Sequence, residues 1–223
     1  MAIRFLSRLL GNPASEKSGA DRYRDSIDQV QFQSLYDRYI SADPYPGFSK
    51  YLDFERWIKT ALSHYELLRV PVNQHISILD IGTGAGYFPF ICQENGHQVM
   101  TVDVPGHDFY TEMVQLLGVN RQELFVQANQ PLPDFGRRFD AITAFAICFN
   151  NHATENLWGT EEWDFFLKDL RKNQLTEHGR VFMKFNPEPN GEFFSEDLRQ
   201  LFLSYGAEIN YSTVSVPPQN QSA

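Results

Sequence analysis

Cysteine is nearly missing from this chain: only Cys92 and Cys148 occur among 223 residues. Both lie in apolar runs, outside any Cys-x-x-Cys or Cys/His cluster, which excludes a disulfide framework and a zinc site of the usual spacing. Buried thiols of a reducing compartment fit instead, so a cytoplasmic protein is expected. Long apolar runs are missing too, and none approaches the roughly 20 residues that span a bilayer. Positive charge is scarce: 19 Lys and Arg stand against 28 Asp and Glu, for a formal net charge of −9. A large nucleic-acid surface needs clustered cations to displace counterions, so no nucleic-acid partner is expected. What remains is ordinary globular usage, 42% hydrophobic and 21% charged, enough for a buried core.

The first ten residues depart from this average. In MAIRFLSRLL, apolar residues alternate with Arg4 and Arg8, and no acid precedes Glu16. Residues 1–10 read as a short basic amphipathic helix suited to another subunit or a membrane surface, and too charged for a secretory signal. Residues 11–29 are polar and read as a linker. Helical spacing returns from Phe32 to Ile40 and again from about Lys50 to Arg69, on either side of the Pro/Gly break SADPYPGFS. After Pro71 strands alternate with helices. Strands are expected at 76–81, 98–102, 124–127, 139–147, 180–185 and 208–216, with Thr160 and Ser195 capping two of the helices. The implied fold is α/β: a Rossmann-like, doubly wound, mostly parallel sheet of six to seven strands with helices on both faces. An N-terminal helical extension or lid (1–70) precedes the nucleoside-binding domain (71–223).

The chemistry concentrates in ILDIGTGAGYF (78–88), a strand, a glycine-rich turn and a helix. In a doubly wound sheet that turn lies at the carboxyl ends of the strands, where ligands bind. Gly82, Gly84 and Gly86 remove side chains so that a ligand can reach the backbone. A dinucleotide fingerprint needs its third glycine at position 87, where Tyr87 stands. Asp80, just before the first glycine, would repel a pyrophosphate on the helix N-terminus but suits a ligand carrying an ammonium and a sulfonium. Asp103 ends the second strand, about 20 residues on, where an acid accepts from ribose hydroxyls. The ligand so described is a cationic nucleoside.

These residues resemble motif I of class I S-adenosylmethionine (SAM)-dependent methyltransferases, with Asp103 matching the acid of the next motif. FVQANQPLPD (125–134) resembles the loop beside adenine, FDAITAFAICFN (139–150) strand four with the segment facing the acceptor, and LTEHGRVFMKFN (175–186) the helix-loop-strand of strand five. The likeness runs over residues 76–216. It implies SAM as cofactor, with Gly82, Thr83 and Gly84 along its methionine part, Asp103 on the ribose, Val104 on the adenine face and Asn129 at the adenine amino group. It also implies a sheet ending in an antiparallel hairpin, whereas only one clear strand follows Gly206.

The acceptor is less legible. Phe149, Asn150 and Asn151 follow strand four and are placed to face it, and His152 is the titratable group there suited to act as a base. Tyr45 and Phe48, in the Pro/Gly break, are the expected aromatic contacts. No Asn/Asp-Pro-Pro-Tyr run and no Pro-Cys nucleophile occurs, which sets nucleobases behind a small-molecule or lipid-like acceptor. The competing reading is a non-catalytic SAM-fold binding or regulatory subunit.

Overall fold

A computed structural model describes residues 19–41, 47–106, 108–146, 157–188 and 190–219. The central strands β1 (Ser77–Ile81) and β4 (Phe139–Phe145) are nearly continuous apolar runs, the pattern of strands covered on both faces. Around them β2 (Gln98–Asp103), β3 (Arg121–Glu123), β5 (Leu175–Lys184), β6 (Glu208–Asn210) and β7 (Thr213–Val216) complete one seven-stranded sheet of order β3-β2-β1-β4-β5-β7-β6. β1 to β5 pair in parallel, and β7 runs antiparallel between β5 and β6. The chain leaves β1 toward β2 on one side and returns on the other as β4. A crevice opens at that reversal, beyond the carboxyl ends of both strands.

Side chains alternate across each strand and feed two cores. Ile78, Ala141 and Phe182 face one layer, built from α1 (Gly19–Arg24), α2 (Gln29–Ser41), a 3-10 turn (Ser49–Leu52), α3 (Phe54–Leu67), α4 (Tyr87–Glu94) and α5 (Asp108–Leu116). Leu79, Ile142 and Val181 face the other, built from α6 (Thr160–Asp169), a π-helical turn (Leu170–Gln174) and α7 (Glu196–Ser204). The N-terminal helices therefore share a core with α4 and α5. A bidentate pair from Arg38 to Glu112, 2.9 and 2.6 Å, ties α2 to α5. The Tyr87 hydroxyl donates to the Tyr51 carbonyl at 2.6 Å and ties the 3-10 turn to α4.

Several expectations are corrected. Part of the supposed linker is helix α1, because Ala20 and Tyr23 fall at helical spacing and, with Ile27 just beyond the helix, bury in the core shared with α3 and α4. Residues 1–18, with the amphipathic segment 1–10, lie outside the described residues. β3 comes earlier than the apolar stretch 124–127: as an edge strand of three residues it tolerates Arg-Gln-Glu. After the Leu124 amide donates to the Asp103 carbonyl at 2.7 Å, the apolar residues turn away from the ladder. Gly159 precedes α6 in the capping position assigned to Thr160, with its amide donating to the Glu162 carboxylate at 2.9 Å. Ser195 caps α7, accepting from the Leu198 amide at 3.2 Å. The stretch 208–216 is two strands, because Tyr211 adopts φ 54° and reverses the chain. The sheet is thus not one strand short.

β5 begins earlier than expected, at Leu175, across a register shift against β4. Gly179 permits the shift: a Cβ there would stand 2.7 Å from the Phe139 carbonyl oxygen, a backbone atom that cannot swing aside. Gly179→Ala is expected to destabilise by about 2 kcal/mol, a drop in Tm of roughly 4–8 °C. An unchanged melting curve would show that the shift does not depend on this close approach.

Candidate active site

The crevice at the strand reversal holds a cavity of about 410 Å³, within the usual range for small-ligand sites. One wall is the glycine loop. Asp80, Gly82, Thr83, Gly84, Gly86, Asp103 and Val104 are brought together here, with Leu124, Phe125 and Val126. Val104 and Phe125 are 44% and 60% exposed, an apolar pair open at the cavity edge.

The three glycines do different work. Gly84 has φ 55°, and no described atom lies within 4 Å of the position a Cβ would take, so its bare side faces open space. Gly86 has φ 83°, and a Cβ there would meet Val114 Cγ1 at 3.0 Å. Its missing side chain admits α5 rather than a ligand. Gly82 donates its amide to the Val102 carbonyl at 2.8 Å and ties the loop to β2.

Asp80 is 3% exposed, and its carboxylate accepts from the Thr143 hydroxyl at 2.7 Å. Burial, with a smaller contribution from the Asp103 charge, raises its pKa to about 7 against the opposing Thr143 and Thr83 hydroxyls. Asp103 accepts from the Gly84 amide at 2.7 Å through one oxygen and from the Val104 amide at 2.8 Å through the other. Burial raises its pKa as well, with these two amides opposing. Each Asp103 oxygen keeps a free lone pair, enough for two neighbouring hydroxyls. Among the described residues neither carboxylate forms an ion pair.

The opposite wall comes from the N-terminal helices. Trp57, Thr60, Ala61 and His64, spaced i, i+3, i+4 and i+7, turn one face of α3 to the cavity, and Tyr51, Tyr87, Phe88, Tyr110, Phe145 and Ala146 complete it. His64 and Thr60 went unnoticed in the sequence, although the helical spacing from Trp57 was the available signal. Two expected residues are elsewhere. Asn129 is exposed in a turn at φ 55° and does not line the cavity. Phe48, half-buried, stacks on Phe109 at 5.5 Å and meets Tyr110 edge-on at 5.2 Å, packed against the core and not lining the cavity. Tyr45, Phe149, Asn150, Asn151 and His152 lie outside the described residues.

No protein-family model matches the chain, and no curated protein matches its sequence. Solved structures do match in fold. Magnesium protoporphyrin IX methyltransferase from Synechocystis PCC 6803, with bound S-adenosylhomocysteine (SAH), superposes with a TM-score of 0.52 at 14% identity. The match covers 90% of this chain and 99% of that one. The 1,6-didemethyltoxoflavin-N1-methyltransferase of Burkholderia thailandensis gives 0.50 at 15% identity, over 96% and 94%. The pyocyanin biosynthetic protein PhzM gives 0.53 at 14%, over 82% of this chain and 61% of that one. The chain has the class I SAM-dependent methyltransferase fold.

Alanine at either Gly84 or Gly86 must enter left-handed backbone, at about 1–2 kcal/mol. Gly86→Ala must also displace Val114, so it is expected to lower Tm further than Gly84→Ala does. Equal losses in thermal melts would mean that α5 yields freely.

Proposed function

We propose that this protein binds SAM in the glycine-loop half of the cavity and methylates a small molecule held in the aromatic half. One observation carries the reading: a backbone stretch bare at Gly84 shares a single cavity with two carboxylates, Asp80 and Asp103. A ligand with a cationic amino-acid end and a ribose matches that sequence of groups. Asp80 would face the positive end, Asp103 would take the ribose hydroxyls on its two free lone pairs, and Val104 with Phe125 would cover the base. An anionic dinucleotide would meet Asp80 with the wrong sign.

When bound, SAM supplies a methyl group on a cationic sulfur. What the chain contributes is position: holding the acceptor about 3–3.5 Å from that methyl is worth roughly 7–11 kcal/mol in orientation. The solved neighbours named for small-molecule methylation support a small acceptor at the level of fold. A lipid-like acceptor, a cytoplasmic location and contact through residues 1–10 remain parts of the same proposal. Among the described residues no helix is long and apolar enough to cross a membrane.

Calorimetric titration tests the cofactor. SAM and SAH are expected to bind and NAD is not. Asp103→Asn should weaken SAM roughly tenfold or more, the value of hydrogen bonds to a charged acceptor. Gly84→Ala, which puts a methyl group into the cavity, should abolish binding.

The pH dependence has a definite sign. A cationic ligand favours ionised Asp80, whose pKa in the free protein stands at about 7. Affinity for SAM is therefore expected to be level above that pH and to fall below it, by up to about tenfold per pH unit. A flat profile through pH 7, or no SAM binding at all, would count against the assignment. Radiolabelled methyl transfer into a metabolite extract then separates an enzyme from a non-catalytic binding subunit, which would bind SAM and label nothing.

A further inference from the structure

The aromatic half of the cavity has one polar feature that the cofactor does not use. His64 lines the cavity, its ring stacked on Phe145 at 4.5 Å and 27°. Behind it, Lys184 stands on β5 in register with Phe145 on β4, and its Nζ lies 3.3 Å from His64 Nε2. A lysine ammonium can only donate, so Nε2 must accept and the ring proton resides on Nδ1. Among the described residues Nδ1 has no partner and Lys184 has no carboxylate within ion-pair distance. His64 is thus a fixed N–H donor at the cavity wall with a positive charge behind it.

We propose that His64 is the acceptor-recognition residue of this site, that Lys184 positions it, and that the acceptor is a planar aromatic molecule bearing an ionised oxygen. The aromatic side chains Trp57, Tyr51, Tyr110 and Phe145 line the cavity and suit a ring. A neutral oxygen would use the donor but gain little from the ammonium, and a cationic group would be repelled. The assignment rests on SAM occupying the other half: acids stand where the cationic cofactor binds and the lysine where the acceptor's anion binds. His64 stays neutral, because burial and then the Lys184 charge lower its pKa to about 4. At neutral pH it orients the acceptor instead of taking its proton, and an acceptor that enters already ionised needs no base.

The test compares 4-nitrophenol, in a mildly alkaline buffer that ionises it, with its neutral methyl ether 4-nitroanisole. Binding to SAH-saturated protein is measured by calorimetry. The phenolate is expected to bind at least about tenfold more tightly, as charge-assisted hydrogen bonds do. Lys184→Met should erase that preference, and His64→Gln should weaken the phenolate by a similar factor. Nitrogen-15 NMR should find His64 protonated on Nδ1 in the native protein and moved toward Nε2 in Lys184→Met, a change that a packing role would not produce.

Equal affinities for the two probes, or a preference that survives Lys184→Met, would overturn the inference. Failure of SAH to bind would instead overturn the cofactor reading. The Nδ1 tautomer and its change in Lys184→Met, read on the ligand-free protein, would then still decide the role of His64.

Discussion

Asp80 brings a carboxylate to the end of the central strand, into a place almost without water, where the Thr143 hydroxyl on the neighbouring strand is its closest hydrogen-bond donor. The folded protein binds a proton there between the ordinary aspartate pKa of 3.8 and about 7, and the unfolded chain does not. Stability therefore falls as pH rises through that window and stays lower above it. The cost is on the order of a few kcal/mol, large beside the marginal stability of a domain. Asp103, at the end of the neighbouring strand β2, adds a like charge to the penalty. Two acids that weaken the free protein, set around a bare stretch of backbone, are the arrangement expected of a cation-binding site and not of a structural one.

Everything near Asp80 follows from holding that turn open. Gly86 lets α5 approach, the Gly82 amide is pinned to β2, and Gly84 is left facing the cavity. Asp103 closes the loop by accepting the Gly84 amide, so the group assigned to the ribose also sets the conformation of the backbone that faces the methionine part. The far wall is not an appendage to this machinery. α3 shares its core with α4, and the Tyr87 hydroxyl, at the first residue after the glycine turn, donates to the backbone of the 3-10 turn. The residues that would meet an acceptor are thereby fixed to the helix that begins at the glycine loop.

How far the sequence disclosed this depends on how local each signal is. Strand, glycine turn, helix and following acid lie within 26 residues (78–103), and each is specified by its immediate neighbours. Their place at the strand ends could be read directly. The sheet was legible for the same reason. What failed was non-local or turned on one backbone angle. Nothing near Tyr211 announces the φ of 54° that splits one strand into a hairpin, and nothing near Asn129 announces the turn that carries it out of the cavity. Phe48, beside proline and glycine, is expected to contact the acceptor, yet Phe109 and Tyr110, some sixty residues on, pack against it and leave it half-buried. His64 sits among ordinary helix residues, and it gains meaning only from Lys184, 120 positions away.

A net charge of −9 says little about such a site, because burial strengthens the nearest charges and solvent screens the distant ones. Under the proposed assignment the two occupants carry opposite charges and lie side by side. An anionic acceptor entering alone would feel Asp80 and Asp103 uncompensated, whereas one entering after SAM meets their charge partly offset by the cationic sulfur. Each ligand then raises the other's affinity by the same factor, as linkage requires. Once the methyl has moved, the sulfur and the oxygen have both lost their charge, so the attraction that assembled the complex is gone when the products must leave.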